Sequence, residues 1–196
     1  QVRRLAPGMD RPPIVVSPYD AELFGHWWFE GPLFLGDLFR QLHHDQHEIE
    51  TLSPGDYLER HPTNQVATPS ASSWGHQGYN AYWADESNAW VYRHLHHAAE
   101  RMSAVARRHP SPDALVERAL AQAARELLLA QSSDWTFIMR TGTTVPYATR
   151  RLEDHVVQLN RLCDEIDAGA IDEAALAALE ERDNLFRDVN WRLYAS

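Results

Sequence analysis

Apolar residues recur at alternating steps of four and three along three successive segments of this chain. The first set is Val91, Leu95, Ala98, Met102 and Val105. The second is Val116, Leu120, Ala123, Leu127 and Ala130, and the third Leu152, Val156, Leu159, Cys163 and Ile166. This spacing places each set on one stripe of an α-helix. A striped helix cannot bury its apolar face alone, so the pattern predicts helices packed on one another from about residue 85 to residue 196. Local signals delimit them. Ser111 with Pro112 reads as a cap and first turn, residues 141–144 as a break, Gly169 as a stop, and Asp172 as the cap of a last short helix.

The first third of the chain reads differently. Pro12 and Pro13 lead into Ile14, Val15, Val16, Ser17, Pro18, Tyr19 and Asp20, a short apolar run of the kind that forms a buried strand. An aromatic turn follows, then a helix opening at Pro32 with Leu35, Leu38, Phe39 and Leu42 on one face. Strand, loop and helix make half of a βα repeat. Only two further short strands are expected, near residues 49–52 and 65–68, too few to close a barrel. Between them, Ser53 and Pro54 open a short helix over 54–60. The loop 62–79 is long, rich in Ser, Thr, Gly and Pro, and carries Trp74 near its centre, which makes it a candidate binding loop. The expected division is residues 1–84, the remnant of an α/β domain with this loop, and residues 85–196, a helical domain. The chain starts at Gln1 without an apolar leader and is expected to be a piece of a longer protein.

Composition narrows the function. A formal charge of −10 works against non-specific nucleic-acid binding, which depends on Lys and Arg displacing counterions from phosphates. The longest apolar runs, 14–16 and 127–130, are too short to span a bilayer, so no membrane partner is expected. Cys163 is the single cysteine, the usage of a reducing compartment, and a cytoplasmic location is expected. Seven tryptophans supply flat apolar faces of the kind that stack on sugar rings or fill cores.

Asp20 ends the apolar run, where α/β barrels deliver catalytic groups; the same position also suits a carboxylate that caps the next turn. From Asp20 to Pro32 the chain sets Glu22, Glu30 and His26 among Phe24, Trp27, Trp28 and Phe29. Carboxylates beside aromatic walls are the furniture of a sugar site. The stretch from Ser17 through Asp20, Glu22, Gly25, His26, Trp27, Trp28 and Glu30 to Pro32 resembles the fourth signature region of family 57 glycoside hydrolases. The resemblance extends over nearly the whole chain and is shared best with the branching enzymes of that family. It implies a mainly α chain, a C-terminal helical bundle attached to the last βα portion of an incomplete (β/α)7-type barrel.

On this resemblance Asp20 is the general acid/base of a retaining reaction, and the nucleophile, a Glu of an earlier barrel strand, has no counterpart here. His26 and Trp28 lie in the same motif as substrate contacts. Trp74 and Trp83 resemble aromatic subsite residues, although Trp83 also reads as a packing anchor. Asp134 continues the stripe of the second helix, so its carboxylate faces a helix interface and needs a partner; the segment also resembles a motif that meets the glucan. Thr143 lines the same wall or belongs to a plain helix cap with Thr144. Trp90 and Trp191 read as packing, and Arg107, Arg108, Arg150 and Arg151 as solvated charge. The histidine groups His43, His44, His47 and His94, His96, His97 lack carboxylate or Cys partners at ligand spacing, so no metal and no cofactor are expected. The partners expected are an α-1,4-glucan and the barrel portion that this chain lacks. A branching transglycosidase leads, and three alternatives remain open: an amylase or 4-α-glucanotransferase of the same family, a non-catalytic glucan-binding module, and a helical scaffold that binds no sugar.

Overall fold

The three stripes of the second half find one another in the computed structural model, which describes Arg4 and residues 6–196. The start of the polar leader, residues 1–3 and 5, lies outside the described residues. Helices account for the regular structure, and no strand occurs among the described residues. The chain divides between Thr68 and Pro69 into two compact units.

In the first unit, a 3-10 turn at Ala21–Phe24 leads into α1 (Gly31–His44), which has Pro32 in its first turn. Leu35, Leu38 and Leu42 are half-buried along it, while Phe39 stays exposed. Helix α2 (Pro54–Arg60) starts from a capping box in which Ser53 Oγ accepts from the Asp56 amide and Asp56 accepts from the Ser53 amide. The expected strand at 14–20 is a correction. The run is extended but unpaired, and Val15 and Val16 are 70% and 71% exposed. Residues 49–52 and 65–68 likewise lack a ladder. A strand is defined by the neighbour that takes its N–H and C=O groups, and apolar character alone cannot supply one.

In the second unit, α3 (Trp90–Arg108), α4 (Ala114–Ala130) and α6 (Val145–Ala168) carry the stripes. Ala98, Met102, Val105, Leu120, Ala123, Leu127, Leu159, Cys163 and Ile166 form one buried cluster. Leu176 and Leu179 of α7 (Glu173–Arg182) and Trp191 of a terminal 3-10 turn complete it. A second cluster joins Val91, Leu95, Ala130 and Leu152 to Met139 of α5 (Ser133–Thr141), with Trp90 and Trp135 packed against it. Gly142 (φ 79°) and Gly169 (φ 63°) end α5 and α6 in the left-handed conformation.

Two local expectations shift. Helix α4 is capped by Asp113 rather than by Ser111, because one Asp113 oxygen accepts from both the Leu115 and Val116 amides at 2.9 Å. Two of the named arginines also do more than sit in solvent. Arg108 makes a bidentate pair with Asp167 (2.7 Å), and Arg151 donates to the buried ring of His155 at 2.9 Å. No helix is long and apolar enough to cross a membrane.

Candidate aromatic and carboxylate sites

In the first unit, Asp20 stands at the end of the extended run and immediately before the 3-10 turn. Its carboxylate is exposed and makes no capping hydrogen bond; the turn is closed by backbone alone, Leu23 N to Asp20 O at 3.2 Å. The next thirteen residues fold into an aromatic knot. Trp28 packs on Phe24 (5.7 Å between ring centroids) and on Phe34 of α1 (5.0 Å), and Phe24 meets Tyr19 at 6.0 Å. Gly31 permits this closure, since a Cβ there would lie 2.8 Å from Phe24 and 3.1 Å from Trp28. A cleft of about 290 Å³ opens between Phe24, His26, Trp27, Trp28, Phe29 and Pro32. Trp27 and Phe29 are exposed on its rim. His26 and Trp28 line this cleft, whereas Asp20 precedes it in the chain and is not part of its lining.

In the second unit, the loop around Trp74 is held in an unusual backbone state. Gly75, His76, Gln77 and Gly78 have φ of 74°, 40°, 60° and 87° in succession. For His76 and Gln77 this region is unfavourable, and such strain persists only where surrounding contacts impose it. Here Ser73 closes the neck, its amide donating to Gly78 O (2.8 Å) and its hydroxyl to Tyr79 O (2.6 Å). At Gly75 a side chain is sterically excluded, because its Cβ would stand 2.7 Å from the Tyr82 ring.

The loop delivers Trp74 to three other rings. It lies 5.9 Å from Tyr82, 6.3 Å from Trp83 and 5.9 Å from Phe137, and Tyr82 meets Phe137 at 5.3 Å. Trp74 remains largely exposed, while the other three rings are half-buried behind it. The structure therefore brings Trp74 and Trp83 together and adds Tyr82 and Phe137, which sequence reasoning missed. Phe137 carries no distinguishing signal in the sequence beyond its place three residues after Asp134.

Asp134 requires a correction. Helix α4 stops at Ala130, and a new helix begins after Ser132, so Asp134 sits in the first turn of α5 rather than on the stripe of α4. It is exposed, and its carboxylate accepts from Ser132 Oγ at 2.9 Å. One turn separates it from Phe137 on the same helix. Thr143 shares a hydrogen bond with Thr141 (Oγ1 to Oγ1, 3.1 Å), and Thr144 precedes α6 without a side-chain capping bond.

One buried polar group was not foreseen. Glu126, His155 and Asp183 place a potential ligand atom each within 4.8 Å of one another. Arg151 can only donate, so His155 Nε2 is the acceptor and its Nδ1–H donates to Glu126 at 2.7 Å. Gln122 donates to the other Glu126 oxygen (2.7 Å), and Arg182 holds Asp183 at 2.8 Å. Hydrogen bonds from Gln122 and Arg151 and the Arg182–Asp183 ion pair thus hold these three side chains in the core.

The model of the family described as 1,4-alpha-glucan branching enzyme, C-terminal, matches residues 94–194. The chain is 39% identical over 182 residues to a 1,4-alpha-glucan branching enzyme of Thermococcus kodakarensis, covering 90% of this chain and 26% of the relative. It is 28% identical over 177 residues to a probable 1,4-alpha-glucan branching enzyme of Mycobacterium tuberculosis, covering 84% of this chain and 32% of that protein. Three solved structures align over 100% of the chain. They are a GH57 branching enzyme from Thermococcus kodakaraensis in complex with glucose and additives (TM-score 0.78, 36% identity, 36% of that structure), one from Pyrococcus horikoshii (0.73, 34%, 37%), and the alpha-amylase AmyC from Thermotoga maritima (0.69, 39%, 36%). The chain thus spans from a little over a quarter to a little over a third of the length of these relatives.

Proposed function

This chain belongs to the family of 1,4-alpha-glucan branching enzyme C-terminal domains, and from that premise we propose that it supplies the acid/base carboxylate and an aromatic glucan platform to a retaining transglycosidase. The enzyme would cut an α-1,4-glucan and rejoin the cut chain through an α-1,6 bond. The observation that carries this reading is the four-ring wall of Trp74, Tyr82, Trp83 and Phe137, one indole of which stands free for a sugar face. Exposed Asp134, one helical turn from Phe137, offers a carboxylate to sugar hydroxyls beside that wall. Thr143 is a further hydroxyl after the same helix, and His26 and Trp28 contribute contacts near Asp20.

Asp20 would protonate the leaving glycosidic oxygen and then, as its carboxylate, take the proton of the incoming acceptor hydroxyl. Retaining chemistry requires a second carboxyl about 5–5.5 Å away to form the covalent glycosyl intermediate. That nucleophile is assigned to the part of the longer relatives that this chain does not span, read as a barrel on the family resemblance, and residues 1–84 are read as the part of the catalytic domain that meets it. The absence of a side-chain cap at Asp20 supports this role, since its carboxylate is not committed to the turn. The test is turnover of amylose by the enzyme in which this chain is joined to its barrel, with and without Asp20→Asn. Loss of about 10²–10⁴-fold at unchanged melting temperature is expected for an acid/base group. Near-normal turnover would remove Asp20 from the chemistry.

The similarity to an alpha-amylase supports a second reading, hydrolysis in place of transfer. The family model over residues 94–194 and the relatives at 39% and 28% identity carry the branching-enzyme name, which favours transfer. NMR of the amylose product decides between them: new α-1,6 linkages support branching, and reducing ends alone support hydrolysis.

A further inference from the structure

The four rings of the platform come from two places in the chain, residues 74–83 and α5, and polar contacts fasten these together on both sides of Phe137. On one side, the wholly buried amide of Asn88 donates from Nδ2 to Tyr82 O (3.0 Å) and to Thr136 O (3.1 Å), while its Oδ1 accepts from the Asp85 amide at 2.8 Å. On the other, Arg140 Nε lies 2.9 Å from Asp85 Oδ2. The opposite oxygen of Asp85 accepts from the Ser87 amide (2.8 Å) and hydroxyl (2.6 Å), so the carboxylate is fixed before Arg140 reaches it. Thr136, Phe137 and Arg140 share one turn of α5, and Phe137 touches Tyr82 and Trp74 between the two ties.

We propose that Asp85, Asn88 and Arg140 are positioning residues for glucan binding, a clasp that holds the turn bearing Tyr82 and Trp83 against α5 and thereby assembles the platform before sugar arrives. This rests on the platform binding glucan, as argued above. None of the three needs to touch the ligand. A platform that is loose when empty must be ordered by its ligand, and that ordering is subtracted from the affinity; a platform ordered beforehand avoids the loss. The Ser87 hydrogen bonds, with the nearby Arg140 charge, hold the Asp85 carboxyl below its ordinary range, so it is ionised wherever the clasp is needed.

The test uses the 196-residue chain labelled with nitrogen-15, titrated with maltoheptaose and followed through the indole N–H signals of Trp74 and Trp83. Wild type, Arg140→Gln, Arg140→Lys and Trp74→Ala are compared, with thermal melts of each. Arg140→Gln is expected to broaden the Trp83 signal in the free protein and to weaken maltoheptaose binding roughly three- to tenfold, with the melting temperature nearly unchanged. Arg140→Lys should recover part of the affinity. If Arg140→Gln matches wild type in both linewidth and affinity while Trp74→Ala binds weakly, the clasp is refuted and the platform stands. If wild type itself shows no maltoheptaose shifts, the platform reading and the clasp fall together.

Discussion

A single buried thiol illustrates how strongly position governs residue chemistry in this chain. Cys163 is 1% exposed in the buried cluster of α6 with its neighbouring helices, and burial pushes its pKa up to about 11. At pH 8 only about one molecule in a thousand would carry the reactive thiolate, and the sulfur has no path to solvent. Iodoacetamide should therefore leave the native chain unmodified at pH 8 for hours and label it fully in denaturant, as read by intact mass. Rapid native labelling would show that the cluster opens. The sequence marked Cys163 as a stripe residue, which is enough to predict burial. Trp74 and Trp83 were marked through their resemblance to aromatic subsite residues, and their contact emerged only in the structure. Asn88 and Phe137 were invisible, since their importance lies in what residues about fifty positions away present to them.

At the scale of elements, the helices were legible to within a few residues because their period and their caps are local. The cap of α4 shows where that legibility ends. Ser111 and Asp113 both suit the role, and the competition is decided by which oxygen reaches the free amides of the first turn. Asp113 reaches two. Asp113→Ala should cost about 1 kcal/mol, within a range of roughly 0.5–2, and lower the melting temperature by about 2–4 °C, whereas Ser111→Ala should be nearly silent. Thermal denaturation of the two variants checks this, and equal effects would return the cap to Ser111. The break between α4 and α5 was missed for a related reason. The spacing that places Asp134 on the α4 stripe continues numerically past Ala130, but the backbone turns at Gln131 and Ser132, and a stripe holds only as long as its helix does.

For the molecule as a whole, apolar burial is distributed unevenly. Leu127 is fully buried in the cluster that joins α3, α4 and α6, whereas Val16 in the extended run is largely exposed. Leu127→Ala should destabilise the chain by about 2–5 kcal/mol through lost transfer energy and an unfilled cavity. Val16→Ala should stay within about 0.5 kcal/mol, as substitutions of solvated side chains do. Urea denaturation followed by circular dichroism measures both, and a large effect of Val16→Ala would mean that the run is buried in solution.

The sequence by itself determined the helical bundle and its inward faces, whereas Asp20, Trp74 and Trp83 stood out through a family resemblance. The bundle and its faces follow from a 3.6-residue period and from cap and turn chemistry, both of which are written in neighbouring residues. Only the tertiary structure decided that residues 14–20 remain unpaired, that Phe137 and Tyr82 join the tryptophans, that Asn88 and Arg140 tie α5 to the aromatic turn, and that Glu126, His155 and Asp183 meet in the core. The reason is the same in each case. A periodic pattern tells which side of a helix turns inward, but the residue it meets there is chosen by how separate elements pack.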